Sequence, residues 1–136
     1  MRKRALYSLA AAMLCLAWSI APIDDAQTVR LAQVLYHHCG QQSDETMRLF
    51  GAALCNRVGM REFGDTLGAV LADFACTPAY DERALACARA LAAGRRSFDA
   101  PPEEVVHAIG KGEDQSAYAS LGFWRVCGDY VFYYRT

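Results

Sequence analysis

The sequence lacks low-complexity segments, internal repeats and blocks of like charge. None of its six cysteines belongs to a Cys-x-x-Cys pair, and only three histidines are present. His37 and His38 are adjacent, so on a helix their side chains point about 100° apart and do not converge on one ion. The sequence therefore does not indicate a metal site, and we expect neither a metal nor a cofactor.

Basic residues are also scarce after the first four positions. The first 21 residues contain three basic and no acidic side chains, and the remainder has 11 basic and 15 acidic ones. A mildly acidic chain without a basic stripe is a poor match for nucleic acid, so we expect no nucleic-acid partner. A length of 136 residues, 54% of them hydrophobic, predicts one compact globular domain.

The N-terminus differs from the rest of the chain. Positions 2–4 are basic, and positions 5–21 (ALYSLAAAMLCLAWSIA) carry no charge. This arrangement is typical of a secretory signal peptide, and Ser19-Ile20-Ala21 has the small residues that a signal peptidase needs. Pro22 is unfavourable for cleavage, so an uncleaved membrane anchor is the alternative. A buried helix is a third interpretation. We expect an exported protein, either secreted or anchored through residues 5–21.

The cysteine count leaves the pairing open. Cys15 lies in the predicted leader, which leaves the five cysteines at positions 39, 55, 76, 87 and 127. An odd number means that at least one stays free or pairs between chains. Cys76 and Cys87 can form a disulfide outside the cell, and buried thiols are an equal alternative.

Four helices are predicted in the first two thirds of the chain. Asp24-Asp25 is expected to cap the first, from about Ala26 to Cys39, with Gly40 as its left-handed stop. The inward face of this helix is expected to contain Val29, Ala32, Leu35 and Tyr36.

The other three helices have similar start and stop signals. Ser43-Asp44-Glu45 starts the second, which ends at Gly59, and its small residues Gly51, Ala52 and Ala53 allow close packing. Its inward residues are predicted to be Leu49, Phe50, Ala53 and Leu54. Asp65 is predicted to cap a short third helix through Ala72, and a fourth helix runs from Asp81 to Gly94.

A small sheet is predicted at the C-terminus. Residues 105–109 form a short extended segment, and residues 110–117 form a polar loop. Segments 124–127 and 130–134 flank Gly128-Asp129, and glycine first in a two-residue loop favours a type II′ hairpin turn. Alternation puts Tyr130, Phe132 and Tyr134 on one face and Tyr133 on the other, where it either packs or stacks on sugar. The fold class is therefore α+β.

The mature chain resembles the SleB-type cell wall hydrolases, the family of spore-cortex-lytic enzymes. The matching segments, in order, are LAQVLY (31–36), GAALCNRV (51–58), Phe63 with LGAVL (67–71), the helix from Ala84 to Gly94, and GDYVFY (128–133). Tyr36 and Asn56 have the spacing of the family pattern. The resemblance implies a small lysozyme-like or lytic-transglycosylase-like domain over residues 26–136 and peptidoglycan glycan strands as the ligand.

The chain departs from the family at the catalytic position. The family's tyrosine is followed approximately by Ala-Glu-Ala-Arg-Gly-Glu, whereas this chain has His37-His38-Cys39-Gly40-Gln41-Gln42. His38 aligns with the catalytic glutamate and Gln42 with the second glutamate. Cleavage of a glycosidic bond requires a proton on the leaving oxygen, which a protonated carboxyl delivers well. Glutamine cannot transfer a proton, and a histidine in its acid form is a cation that opposes the oxocarbenium-like transition state.

The candidate catalytic residues are therefore His38 and Glu45, each with a simpler interpretation. His38 can be a hydrogen-bonded groove or surface histidine, and Asp44 and Glu45 are acids of the kind that favour a helix N-terminus. Glu113 and Asp114, in the polar loop, have solvation as the default role and lining of the cleft as the alternative. The candidate glycan-binding residues are Tyr36, Gln42, Asn56 and Tyr133.

Asn56 and Arg57 have an architectural alternative. The asparagine can bond loop amides, and the arginine can pair with Asp65 or Asp44. Two functions are consistent with the whole pattern. One is an exported cell wall hydrolase with weakened activity, and the other is a non-catalytic relative that binds peptidoglycan or a partner protein through the same groove. The choice between vegetative wall and spore cortex stays open.

Overall fold

The chain folds as an α+β domain, with helices first and a sheet last. The computed structural model describes residues 25–94 and 99–135, which form four helices followed by a three-stranded antiparallel sheet. This confirms the predicted fold class. The predicted leader, residues 1–21, lies outside the described residues. Among the helices that are described, none has the length and apolar character needed to cross a membrane.

Each helix begins next to a side chain that caps it. Helix α1 is Ala26–Cys39, α2 is Asp44–Asn56, α3 is Leu67–Leu71 and α4 is Glu82–Ala92. The caps Asp25, Ser43, Thr66 and Asp81 each accept a hydrogen bond from the backbone N–H three residues later. Such bonds satisfy N–H groups that the first turn leaves unpaired.

Two of the predicted helix boundaries need correction. Asp65 does not cap α3, because the Thr66 hydroxyl accepts from the Ala69 N–H at 3.1 Å and moves the start by one residue. Gly40 is not left-handed: its φ of −59° and ψ of −27° continue the helical turn. Left-handed glycines instead lie beyond the ends of α2 and α4, at Gly59 (φ 84°) and Gly94 (φ 71°).

The sheet has its last strand in the middle. Strand β1 is Val105–Gly110, β2 is Phe123–Cys127 and β3 is Tyr130–Tyr134, in the order β1-β3-β2. Gly128, between β2 and β3, has φ 55°, and no described residue other than glycine has a positive φ. A left-handed first residue followed by a residue with negative φ matches the predicted type II′ turn and excludes type I′. The predicted polar loop contains a short 3-10 turn, Ser116–Tyr118.

Helix α2 connects the helical core to the sheet. Phe50 and Leu54 pack with the buried side chains of α1 and α4, whereas Leu49 and Ala53 pack with Val105 and Phe132 of the sheet. All four inward positions predicted for α2 are buried. A Cβ on Gly51 would collide with Leu91 of α4 and lie 3.1 Å from a methyl of Leu35. The small residues of α2 thus permit the close approach that the sequence predicts.

One guanidinium closes the turn between α1 and α2. Arg83, in the first turn of α4, donates to the carbonyl of Gln42 at 2.7 Å and to that of Gly40 at 2.9 Å. It also pairs with the Asp44 carboxylate at 3.0 Å. Carbonyls that follow a helix end lack helical partners, so these bonds replace the left-handed glycine as the device that ends α1.

We expect Arg83→Gln to lower the free energy of unfolding by about 1–3 kcal/mol, because the partly buried carbonyls that Arg83 serves lose their charged donor. Urea denaturation followed by circular dichroism measures the change. Arg61→Gln is the matched control, since Arg61 is exposed, and its effect should stay within about 0.5 kcal/mol. Equal stability of the two variants would contradict the role of Arg83.

We expect Gly128→Ala to destabilise the domain by about 1–3 kcal/mol. The left-handed backbone disfavours alanine, and the added Cβ would lie 2.7 Å from the Thr46 hydroxyl oxygen. The control is Gly112→Ala, where a Cβ meets no atom within 4 Å. Thermal melts of both variants test this, and a Gly128→Ala protein that is as stable as the control would show that the turn tolerates a side chain.

Candidate functional site

The last turn of α1 places His38 at the edge of the helical core, next to the segment that follows α3. The half-buried imidazole stacks on Phe50 with a centroid distance of 5.5 Å and meets the edge of Phe74 at 5.9 Å. Its Nε2 lies 2.9 Å from the carbonyl oxygen of Ala75. The ring is therefore held by stacking on one aromatic ring, by an edge contact with a second ring and by a hydrogen bond at one nitrogen, as expected for a hydrogen-bonded surface histidine.

The Ala75 contact fixes the tautomer of His38. A carbonyl oxygen only accepts hydrogen bonds, so Nε2 carries the hydrogen and the neutral ring has its lone pair on Nδ1. Burial lowers the pKa of His38 below its ordinary value, and the charge of His37 lowers it further. The Ala75 bond and the negative charge of Glu113 act in the opposite direction without cancelling the shift. The ring is thus predominantly neutral at pH 7.

Glu113 is the carboxylate whose charge acts on His38. Its Oε2 accepts from the Gly110 N–H at 3.0 Å, and Gly110 is the cross-strand partner of Tyr130. The Tyr130 hydroxyl in turn donates to the His38 carbonyl at 2.6 Å. The Glu113 charge raises the pKa of both His38 and Tyr130. Solvation was the default role predicted for this loop acid, because its proximity to α1 depends on strand register.

Tyr130 is a hydrogen-bond donor rather than an acid in this site. Burial, followed by the negative charges around it, raises the pKa of its hydroxyl to about 12. Its ring packs against Phe50 at 4.9 Å. The residue therefore ties the central strand to the end of α1.

Gln42 holds the hairpin turn. Its Nε2 donates to the Asp129 carboxylate at 2.8 Å, and its Oε1 accepts from the Asp129 N–H at 3.1 Å. Both ends of the amide are therefore engaged. The structure gives this predicted glycan-binding residue a bond that joins the α1–α2 turn to the β2–β3 turn.

Glu45 is not placed against His38. Its Oε1 lies 2.6 Å from Nη2 of Arg125, on β2, in a half-exposed ion pair. Its neighbour Asp44 is the partner of Arg83. Glu45 and Asp44 thus each have an arginine partner, and the structure does not bring Glu45 and His38 together.

The other predicted glycan-binding residues are spread over the domain. Tyr36 is 37% exposed on α1, so its predicted inward position is wrong. Asn56 donates to the carbonyls of Pro102 and Val105, both at 3.0 Å. Tyr133 is only 9% exposed, stacks on Tyr118 at 5.6 Å and donates to Gln115 at 2.6 Å. Of these three, Tyr36 has the surface exposure that a ligand contact requires.

Arg57 adds a feature that sequence reasoning missed. The sequence predicted that Arg57 could pair with Asp65 or Asp44. It pairs with neither and instead donates through Nε to the Val106 carbonyl at 2.7 Å. Its guanidinium carbon lies 4.5 Å from the ring centroid of Phe63 and 5.1 Å from that of Phe74. The Asn-Arg dipeptide was the available signal, since it lies at the end of a helix that contacts the sheet.

The five described cysteines are all free thiols, so the Cys76–Cys87 disulfide is not present. Burial raises the pKa of Cys39 to about 12 and those of Cys55 and Cys87 to about 11. These thiols behave as apolar core groups rather than nucleophiles. Residues 25–94 and 99–135 also contain no group of three or more His, Cys, Asp or Glu side chains placed to hold a metal ion.

Comparison with known proteins does not assign the chain to a family. No family model matches the sequence, and neither a curated protein nor a solved structure matches it. The resemblance to SleB-type hydrolases therefore rests on the sequence segments alone, and the lysozyme-like part of the fold stays a prediction.

We expect Glu113→Gln to lower the pKa of the His38 imidazole further, because the variant removes a negative charge that raises it. Asp114→Asn removes the adjacent carboxylate, which is not among the charges that act on His38, and should leave that pKa unchanged. Titration of the His38 ring protons by NMR compares the two. A His38 pKa that is the same in both variants would mean that Glu113 does not act on this ring.

Proposed function

We propose that the chain is an exported peptidoglycan-acting protein of the cell wall hydrolase type, whose groove binds glycan strands and whose cleavage activity is weakened or lost. The observation that carries this proposal is the state of His38. The residue at the position of the family's catalytic glutamate is a neutral, half-buried imidazole whose N–H is bonded to Ala75.

The chemistry of glycan cleavage explains why this state matters. A general acid must give a proton to the leaving oxygen, and its conjugate base is best an anion near the developing positive charge. Neutral His38 has its single ring hydrogen on Nε2, and the Ala75 carbonyl already accepts it. Protonating Nδ1 produces a cation, which the half-buried site disfavours and which repels an oxocarbenium-like sugar.

Residual cleavage, where present, requires another acid. Glu45 and Asp44 are paired with arginines. Glu113 is exposed, has a backbone N–H as its hydrogen-bond partner, and acts electrostatically on His38 across the groove. These features make Glu113 the better candidate than Glu45 for a weak general acid in this protein.

A non-catalytic binding protein is the second candidate. The same engaged His38 favours it, as does the double bond between Gln42 and Asp129, which uses the amide in the position of the second glutamate. In this version the groove binds peptidoglycan, or a partner protein, and no bond is cleaved.

The test is to incubate the full-length chain with purified peptidoglycan, measure sedimentation with the insoluble wall, and analyse soluble fragments by mass spectrometry. We expect co-sedimentation and few or no anhydro-muropeptides from the natural sequence. His38→Glu restores a carboxyl at the end of α1 and should raise fragment release by about 10²-fold, the usual contribution of a general acid.

His37→Glu is the matched control, because it makes the same change at the adjacent, exposed position and should not raise release. Fragment release by the natural chain that Glu113→Gln abolishes would identify a working enzyme with a relocated acid. A chain that neither sediments with peptidoglycan nor releases fragments in any variant would overturn the proposed function.

A further inference from the structure

The Arg57 guanidinium lies over two aromatic rings, and one of them, Phe74, also contacts His38. Phe63 and Phe74 lie near it, at 4.5 and 5.1 Å from the guanidinium carbon, and Nε is fixed by the Val106 carbonyl at 2.7 Å. Cation–π contacts of this length are favourable, and the Nε bond sets the direction of the two terminal nitrogens. The side chain is therefore oriented before any ligand arrives.

The two terminal nitrogens of Arg57 are unused. Within the described residues, Nε accounts for the hydrogen bond that Arg57 makes, and Nη1 and Nη2 have no partner. The described part of the chain also contains no buried side-chain nitrogen or oxygen without a hydrogen-bond partner. Arg57 is only partly exposed, so an unpartnered nitrogen that was buried would belong to that group of atoms. Because the group is empty, Nη1 and Nη2 are both accessible to solvent. A half-buried arginine whose two terminal nitrogens have no partner can donate hydrogen bonds from both of them to an anion.

Both acidic and basic side chains lie near Arg57, but within the described residues none of the acidic ones forms an ion pair with it. Burial lowers the pKa of Arg57, whereas Tyr118 and Asp73 raise it from a distance. His107 is half-buried, and both burial and the Arg57 charge lower its pKa, which favours its neutral form. Glu62, also near His107, is bonded to Arg135. Asp73 is therefore the nearby acid that competes most directly with a bound anion.

We propose that Arg57 binds a carboxylate of the wall polymer, carried by the muramic acid sugar or by the peptide attached to it. A planar guanidinium with two parallel N–H donors matches the geometry of a carboxylate, and the partly desolvated position strengthens the pair. This inference rests on the proposed function, since it names the chemical group of the glycan ligand that the groove selects.

The test uses two tetrasaccharides that differ only in the lactyl groups on two of their four sugars. One is a chitin tetrasaccharide without carboxylates, and the other is a tetrasaccharide of alternating N-acetylglucosamine and N-acetylmuramic acid with free lactyl carboxylates. Binding to the full-length chain is measured by calorimetry. We expect the muramic acid ligand to bind about tenfold more tightly, the effect of one charge-assisted pair. A third ligand, with an L-alanyl-D-isoglutamine peptide on each lactyl group, distinguishes the peptide carboxylate from the sugar carboxylate.

Variants assign the difference to Arg57. Arg57→Gln should abolish the tenfold preference, Arg57→Lys should keep a part of it, and Arg61→Gln should keep all of it. A preference that survives in Arg57→Gln would overturn the inference. Where Arg57→Gln does not fold, the Nε–H resonance of Arg57 in the natural chain provides the test: it should shift on addition of the muramic acid ligand and not with the chitin ligand.

The outcomes distinguish a failure of the carboxylate site from a failure of the proposed peptidoglycan binding. Equal binding of all three ligands would keep a glycan-binding surface and overturn the carboxylate site. Failure to bind any of the three ligands, together with failure to sediment with peptidoglycan, would overturn the proposed function itself.

Discussion

The turn between α1 and α2 is the constraint on which the rest of the domain depends. Arg83 holds it from α4 by donating to Gly40, Gln42 and Asp44. Gln42 then fixes the hairpin turn through Asp129, and Tyr130 on the central strand bonds the carbonyl of His38. Four elements therefore meet at a segment of a few residues. The same contacts that stabilise the fold decide which side chains can act in the groove.

This arrangement limits the chemistry that the side chains around His38 can perform. Gln42 and Glu45 were predicted to act on a ligand, but Gln42 bonds a turn and Glu45 pairs with a strand residue. His38 stacks on Phe50 and gives its N–H to Ala75, so it contributes an apolar and neutral surface. Glu113 and Arg57 provide the available charge. Under the proposed function, these groups favour binding over cleavage, with any catalysis left to Glu113.

Local signals in the sequence predicted the elements well. The range of α1, three of the four caps, the inward residues of α2 and the type II′ turn depend on residues close in sequence, so they were predictable. Gly40 and Asp65 were misassigned because Arg83 and Thr66 supplied the hydrogen bonds instead. The site was less predictable. The Glu45–Arg125 pair, the Phe63–Arg57 contact and the position of Glu113 depend on strand register and loop packing.

The most direct test of the account is the protonation state of His38 in the natural protein, measured by long-range ¹H–¹⁵N NMR of the imidazole between pH 5 and 8. We expect a neutral ring at pH 7 with its hydrogen on Nε2, and a pKa below the ordinary value of 6.5. A ring that is cationic at pH 7, or that carries its hydrogen on Nδ1, would contradict it. Either result would mean that His38 is free to deliver a proton to a bound glycan.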